Sequence, residues 1–214
     1  MAFYLKVVGA AIVFAFVAVY LVDLWIDSKS YTFDHDAIAT IAKKHAGKSH
    51  EVAYKEVESE LRKRYGARII PNPRWVFVNA GGWMGAMYVL HASLSEYLLF
   101  FGTAVPTSGH SGRYLLNISD TVIEGKYLQW PEGDTKTNTY LPGDVIFHAS
   151  GEAAAIQWDG DTWMVEYGRG FIPSSLCFAL ADTVFSTTDW SILWNTVKVY
   201  TGAMFHELTL ALWA

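Results

Sequence analysis

The sequence predicts an α+β protein in which an N-terminal transmembrane helix precedes a helix-flanked β-barrel or sandwich and a pair of C-terminal helices. Three observations carry this. Val7 to Val22 contains no charged residue, residues 74–172 are punctuated by turn chemistry, and the last forty residues are apolar over most of their helical circumference.

The N-terminal run extends from Ala2 to Ile26 and is interrupted only by Lys6 and Asp23. With Lys6 snorkelling, it reaches the roughly 20 residues that cross a bilayer. A cleaved signal peptide is the rival. Lys6 behind four largely apolar residues, and bulky Tyr20, Leu21 and Val22 without an Ala-x-Ala site, favour a retained anchor. The charge rule places the N-terminus in the cytosol and the body on the lumenal side, on the evidence of Lys6 against Asp23, Asp27 and Lys29.

Two amphipathic helices follow. Ala37, Ile38, Ile41, Ala42 and His45 recur at helical spacing before Gly47. Ser49 offers an N-cap for a second helix, whose face is Tyr54, Val57, Leu61 and Tyr65 and whose stop is Gly66. From Arg74 to Ile172, turn signals such as Asn79-Ala-Gly-Gly, Pro142-Gly-Asp and Asp159-Gly-Asp recur about every 8–12 residues, the spacing of barrels and sandwiches. The nearly continuous apolar run from Gly85 to Phe101 suits either a helix or buried strands. Two apolar segments close the chain, Ser174–Phe185 and Asp189–Trp213. The second carries a narrow polar stripe of Ser191, Asn195, Lys198, Gly202 and His206. Lys198, His206 and Glu207 make a second span costly, so a helix lying on the membrane surface against the barrel is expected. The expected division is an anchor (1–30), a ligand-binding body (31–172) and membrane-associated helices closing the pocket (173–214).

Composition narrows the function. Of 214 residues 52% are hydrophobic and only 17% charged, below the usual quarter. That suits a chain burying surface in lipid and excludes disorder; so low a charge density also argues against nucleic acid as a partner. The single cysteine, Cys177, precludes an intrachain disulfide or thiolate zinc cluster and reads as a small core residue. There is no GxSxG, Walker loop, HExxH or HxH pair. His91, His110 and His148 could converge on a metal, but without a short-spaced pair they read better as hydrogen-bonded core histidines; no metal and no cofactor is expected.

Acids inside apolar strands are the informative residues. In Trp163-Met-Val-Glu-Tyr167 the charge is Glu166; if Asp159-Gly-Asp161 closes a hairpin, Ile156, Trp158 and Met164 share its face. Asp120 sits similarly in Asn117-Ile-Ser-Asp-Thr-Val-Ile123. Two buried acids side by side would share one proton and present about one negative charge, suited to an ammonium in an apolar cavity or to protonation of a double bond. The alternative is that each faces solvent or is satisfied by local backbone groups. Glu96 faces opposite to Tyr97 by alternation, which suggests a structural acceptor of backbone N–H groups.

Longer stretches carry a resemblance. Trp75-Val-Phe-Val-Asn-Ala-Gly-Gly-Trp-Met-Gly85, His91-Ala-Ser-Leu-Ser-Glu-Tyr97, Phe101-Gly-Thr-Ala104, Gly109-His-Ser-Gly-Arg-Tyr114, Ile118-Ser-Asp-Thr121, Thr162-Trp-Met-Val-Glu-Tyr-Gly-Arg-Gly170 and Phe178-Ala-Leu-Ala-Asp-Thr-Val-Phe-Ser-Thr187 resemble the sigma-one (non-opioid intracellular) receptor family. Fungal sterol C8–C7 isomerases are its relatives, with patterns around Glu166 and Asp120 that differ more. The resemblance implies a cupin-like barrel and a homotrimer in the endoplasmic reticulum membrane and nuclear envelope. It makes Glu166 the partner of a ligand ammonium, with Asp120 hydrogen-bonded to it. Trp83, Met87, Tyr97, Leu99, Phe101, Ile118, His148, Trp158, Leu176 and Tyr200 would line the pocket, and Gly81, Gly82, Trp83 and Gly85 would fall at trimer contacts. Expected ligands are cationic amphiphiles, steroids or sphingoid-type lipids, with other membrane proteins as partners. Binding without catalysis is favoured; sterol isomerisation through a carbocation is the alternative. Asn117-Ile-Ser119 is an N-glycosylation sequon that departs from the receptor pattern, and it is expected to be folded away.

Overall fold

The computed structural model describes residues 1–213 and contains two compact units, Met1–Thr32 and the chain from Phe33 onward. The first unit is one helix, α1 (Ala2–Asp27). Its 26 residues span about 39 Å at 1.5 Å per residue, more than the ~30 Å hydrocarbon core of a bilayer. Apolar side chains point outward on every side, among them Phe3, Leu5, Val13, Phe14, Phe16 and Leu21. The Lys29 ammonium sits 4.5 Å from the Trp25 ring at the end of the helix.

The second unit opens with α2 (His35–Lys43) and α3 (His50–Tyr65). Asp34 caps α2 by accepting the Ala37 N–H. Ser49 occupies the cap position of α3, but its hydroxyl makes no cap bond; Glu124, from a distant strand, takes the His50 N–H at 2.8 Å instead. Ten antiparallel strands follow: β1 (Trp75–Ala80), β2 (Trp83–Ala92), β3 (Glu96–Thr103), β4 (Thr107–His110), β5 (Leu116–Glu124), β6 (Tyr127–Pro131), β7 (Asn138–Tyr140), β8 (Val145–His148), β9 (Ala154–Trp158) and β10 (Thr162–Gly170). They form a six-stranded sheet in the order β1-β2-β3-β10-β5-β8 and a four-stranded sheet in the order β4-β9-β6-β7. The ambiguous Gly85–Phe101 run is thus two paired strands, β2 and β3.

Strand alternation divides the apolar residues between two cores. One face of the large sheet lines the barrel interior with Met87, Leu99, Phe101, Ile118, Val122 and Met164. The other face, with Leu98, Phe100, Ile123, Trp163, Val165 and Tyr167, is covered by Ile38, Ile41, Tyr54, Val57 and Leu61 of α2 and α3. Burial on both faces explains why every residue of β3 is buried and why its sequence fails to alternate. Tyr54 is the main rivet: it stacks on Phe100 at 4.1 Å, and its hydroxyl reaches the carbonyls of Phe101 and Met164.

Helices α4 (Leu176–Phe185) and α5 (Trp190–Trp213) pack onto β1 and β2. The expected boundary at 172/173 therefore separates no compact unit; these helices belong to the body. A polar clasp holds α4. Gly82 N–H donates to Asp182, Thr183 donates to Asn79 Oδ1, and Asn79 donates to Thr187. Gly81 adopts φ +57°, and a Cβ there would lie 2.5 Å from the Phe178 ring and 2.6 Å from the His110 carbonyl. A Cβ on Gly85 would lie 2.7 Å from the Gly102 carbonyl. Close approach within the chain thus explains two of the glycines expected at an oligomer contact.

Two further expectations are corrected. Asp159-Gly-Asp161 is not a hairpin: β9 pairs with β4 and β6, whereas β10 pairs with β3 and β5, so the turn carries the chain from one sheet to the other. Cys177 is exposed because it lies on the outer side of α4, away from the barrel.

The glycines yield a paired test. Gly81→Ala should cost about 2 kcal/mol from strain and overlap and lower Tm by about 4–8 °C. Gly202→Ala, in the middle of α5 with nothing within 4 Å of the added methyl, should raise Tm slightly through helix propensity. Thermal unfolding followed by tryptophan fluorescence measures both.

Candidate functional site

The pleat sets the site. Glu166 lies midway along β10 and pairs in register with Asp120 on β5 and with Leu99 on β3. Directly opposed residues project to the same face with Cβ atoms about 5 Å apart, so both carboxyl groups enter the barrel side by side. The interior around them is apolar: Trp83, Phe101 and Trp158 meet edge to face at 5.3–5.4 Å, and Met87, Leu99 and Ile118 fill the adjoining wall. The cavity encloses about 170 Å³, and neither Lys nor Arg lines it.

Each acid has its own support. Tyr97 donates its hydroxyl to Glu166 Oε1 at 2.5 Å. His148 Nε2 lies 3.2 Å from Asp120 Oδ2, while its Nδ1 lies 3.3 Å from the Gln129 amide nitrogen. The Tyr140 hydroxyl donates to Gln129 Oε1, which orients that amide with its NH₂ toward the imidazole. The network therefore assigns Nδ1 as acceptor and Nε2–H as donor to Asp120. Asp120 Oδ1 is buried without a hydrogen-bond partner.

Electrostatics follow from this enclosure. Burial, and then the adjacent charge of Asp120, push the Glu166 carboxyl up to about 8, while the Tyr97 hydrogen bond pulls the other way. Near neutral pH Glu166 therefore holds a proton beside the unpartnered Oδ1 of Asp120. The phenols of Tyr97, Tyr114, Tyr127 and Tyr200 are all raised by burial and by the nearby acids, so they remain donors.

All twelve residues expected at the pocket line this cavity: the six apolar wall residues named above, the polar Tyr97, Asp120, His148 and Glu166, and Leu176 and Tyr200 from α4 and α5. Ile156, Trp158 and Met164 do share the interior with Glu166, although they reach it from two sheets. Leu176 (45% exposed) and Val197 (38% exposed) both line the cavity, which puts its mouth between α4 and α5. Tyr114, Tyr127, Val78 and Phe178 also contribute and were missed. Alternation along β1 and β6 would have found Val78 and Tyr127, but no local pattern marks Tyr114 or Phe178.

Other expectations resolve elsewhere. Glu96 is 4% exposed on the opposite face from Tyr97, where it accepts the Phe33 N–H and the Tyr167 hydroxyl. His91 contacts the Arg68 carbonyl and His110 accepts the Gly112 N–H, so the three histidines do not converge. Among the described residues no group of three His, Cys, Asp or Glu is arranged to hold a metal. Asn117 and Ser119 of the sequon lie inside β5, bonded to the Ser150 N–H and to His35 respectively.

Comparison with known proteins bears on these features. The family model described as "ERG2 and Sigma1 receptor like protein" matches residues 9–211. A "Sigma non-opioid intracellular receptor 1" of Xenopus tropicalis is 58% identical over 193 residues, covering 89% of this chain and 87% of its own. A "C-8 sterol isomerase erg2" of Aspergillus fumigatus is 39% identical over 143 residues, 67% of this chain and 60% of its own. Among solved structures, a cupin superfamily protein of Desulfitobacterium hafniense overlaps 38% of this chain and 72% of its own, at 18% identity and a TM-score of 0.34, a likeness too partial to carry an argument. The match over nearly the whole length, together with high identity to named receptors, places this chain in the family of ERG2 and Sigma1 receptor like proteins.

Proposed function

We propose that the barrel is a binding site for cationic amphiphiles, including sphingoid-type lipids, with steroids as neutral occupants. One observation carries this reading: an in-register pair of acids in an aromatic cavity whose lining holds no Lys or Arg, with Glu166 facing a phenol rather than a cation. A ligand ammonium would supply that counter-charge, draw the proton off Glu166 and restore the ionised pair. Aromatic faces of Trp83, Phe101 and Trp158 would add cation–π and apolar contact. The cavity is smaller than the roughly 300–1,000 Å³ of ordinary ligand pockets, so larger ligands require α4 and α5 to part at the mouth. Residence in the endoplasmic reticulum membrane and nuclear envelope belongs to the same reading, with a cytosolic N-terminus and a lumenal body. So do homotrimer assembly and contacts with other membrane proteins.

A second reading is sterol Δ8–Δ7 isomerisation, favoured by the protonated state of Glu166 and by the name of the fungal relative. Glu166 would protonate the double bond and become a carboxylate beside the carbocation, and a second group, Asp120 on the neighbouring strand, would take the proton that leaves an adjacent carbon. The same pocket would serve either reading, and the higher identity to named receptors than to a named isomerase favours binding. Expression in a fungus lacking its sterol isomerase separates the two: restored Δ7 sterols would establish catalysis, and their absence with expressed, folded protein supports binding alone.

Glu166→Gln keeps the shape and removes the charge. Binding of a tertiary amine should weaken more than about 100-fold, as expected for loss of a buried charge partner; retained affinity would sink the ion-pair account. Because cation binding releases the Glu166 proton, wild-type affinity should rise up to tenfold per pH unit between pH 6 and about 8 and then level off. Titration calorimetry in two buffers of different ionisation enthalpy reads the released proton.

The empty protein should show the opposite sign. A carboxyl raised on folding contributes stability below its unfolded value near 4.5, and that contribution is lost as pH rises through about 8. Tm should therefore fall over this window, and Glu166→Gln should flatten the fall.

A further inference from the structure

We propose that the groove between the Ile70–Arg74 segment and one flank of α5 seats the phosphate of an anionic glycerophospholipid. The groove is an open hollow of about 310 Å³, separate from the barrel cavity, and is lined by Arg74, Lys198, Gly202 and His206 over a floor of Val199 and Ala203. No acidic side chain lines it. Glu207, adjacent to His206 in sequence, is held by Arg68. Arg74 gives one N–H to Asn195, which anchors its guanidinium against α5, and His206 is fixed by the Ala67 carbonyl. Lys198 is exposed.

Helical geometry supplies the lipid half of the argument. At 3.6 residues per turn, Trp194, Thr201, Phe205, Leu208 and Leu212 form one face of α5, with Lys198, Gly202 and His206 on the flank beside it. Trp194 (66%), Phe205 (68%), Leu208 (54%) and Leu212 (73%) are exposed. A row of aromatic and aliphatic side chains, beside a groove of basic groups free of acids, matches acyl chains beside a phosphate. A free phosphate would satisfy the groove but leave the apolar row uncovered. Gly202 keeps the groove open: a Cβ there meets nothing within 4 Å, so no packing demand inside the protein accounts for its lack of a side chain. The site is independent of the barrel's occupant.

The test uses the full chain in nanodiscs of phosphatidylcholine with or without one-fifth phosphatidic acid. Retained lipid is counted by native mass spectrometry, and amide exchange is followed over residues 70–74 and 195–206. Phosphatidic acid should be retained preferentially and slow exchange in both segments. Arg74→Gln and Lys198→Gln should each reduce retention about fivefold, the worth of one cation near a charged surface. Gly202→Leu, which fills the groove without changing charge, should do the same, whereas Lys63→Gln on α3 should not. Tertiary-amine binding in phosphatidylcholine alone, unchanged in all four variants, shows that they fold. Wild-type retention by Gly202→Leu, or equal loss with Lys63→Gln, would overturn the groove in favour of diffuse charge attraction. Displacement of phosphatidic acid by millimolar inorganic phosphate would overturn the lipid assignment in favour of a free anion.

Discussion

Two carboxyl groups opposed across neighbouring strands constrain the rest of this protein. Like charges directly opposite one another destabilise a sheet, and desolvation adds to that cost. The register that imposes the opposition must therefore be held by something else. It is held from outside the barrel, where Tyr54 ties α3 to β3 and β10 and where Glu96 and Tyr167 lock the chain at Phe33 to the same sheet. A one-residue slip of β10 would turn Glu166 into that outer core and Val165 or Tyr167 into the cavity. The outer core thus protects the inner site.

The two acids are supported unequally. Glu166 has one phenol and a raised proton affinity, whereas Asp120 sits at the end of a chain running from Tyr140 through Gln129 and His148. The asymmetry separates their roles: the raised proton affinity belongs to Glu166, and the oriented imidazole donates to Asp120. A pair so arranged can meet a permanent cation or create a transient one. Both named receptors and a named sterol isomerase are among the relatives of this chain.

Much of this was legible in the sequence because each element answers to one local rule. The charge-free run reads as α1, turn dipeptides mark the strand ends, and alternation puts Glu166 and Asp120 on one face of their strands. What was not legible depends on partners distant in the chain. The Asp159-Gly-Asp161 turn looks like a hairpin because nothing local reveals that β9 and β10 join different sheets. Ser49 looks like a cap because the acceptor actually used, Glu124, lies 74 residues away. Cys177 looks like core because its neighbours do, yet Leu176 and Phe178 line the cavity while the residue between them faces out. Gly81 carries no local sign that Phe178 will press against it.

The sequon in β5 has a consequence for biogenesis. In the finished barrel Asn117 is paired opposite Arg169, and Ser119 is enclosed beneath α2. The covering strand β10 emerges from the ribosome roughly 40 residues later, a lag of a few seconds at 5–20 residues per second. In a compartment that contains the glycosylating enzyme, the sequon is unpaired for that interval and afterwards held in the sheet, with Asn117 half-buried and Ser119 buried. Attachment of a sugar there would displace the Ser150 N–H from Asn117 and crowd the end of β5 beside Arg169 of β10. In such a compartment the strand at the heart of the site would make assembly a race between translation and a competing modification.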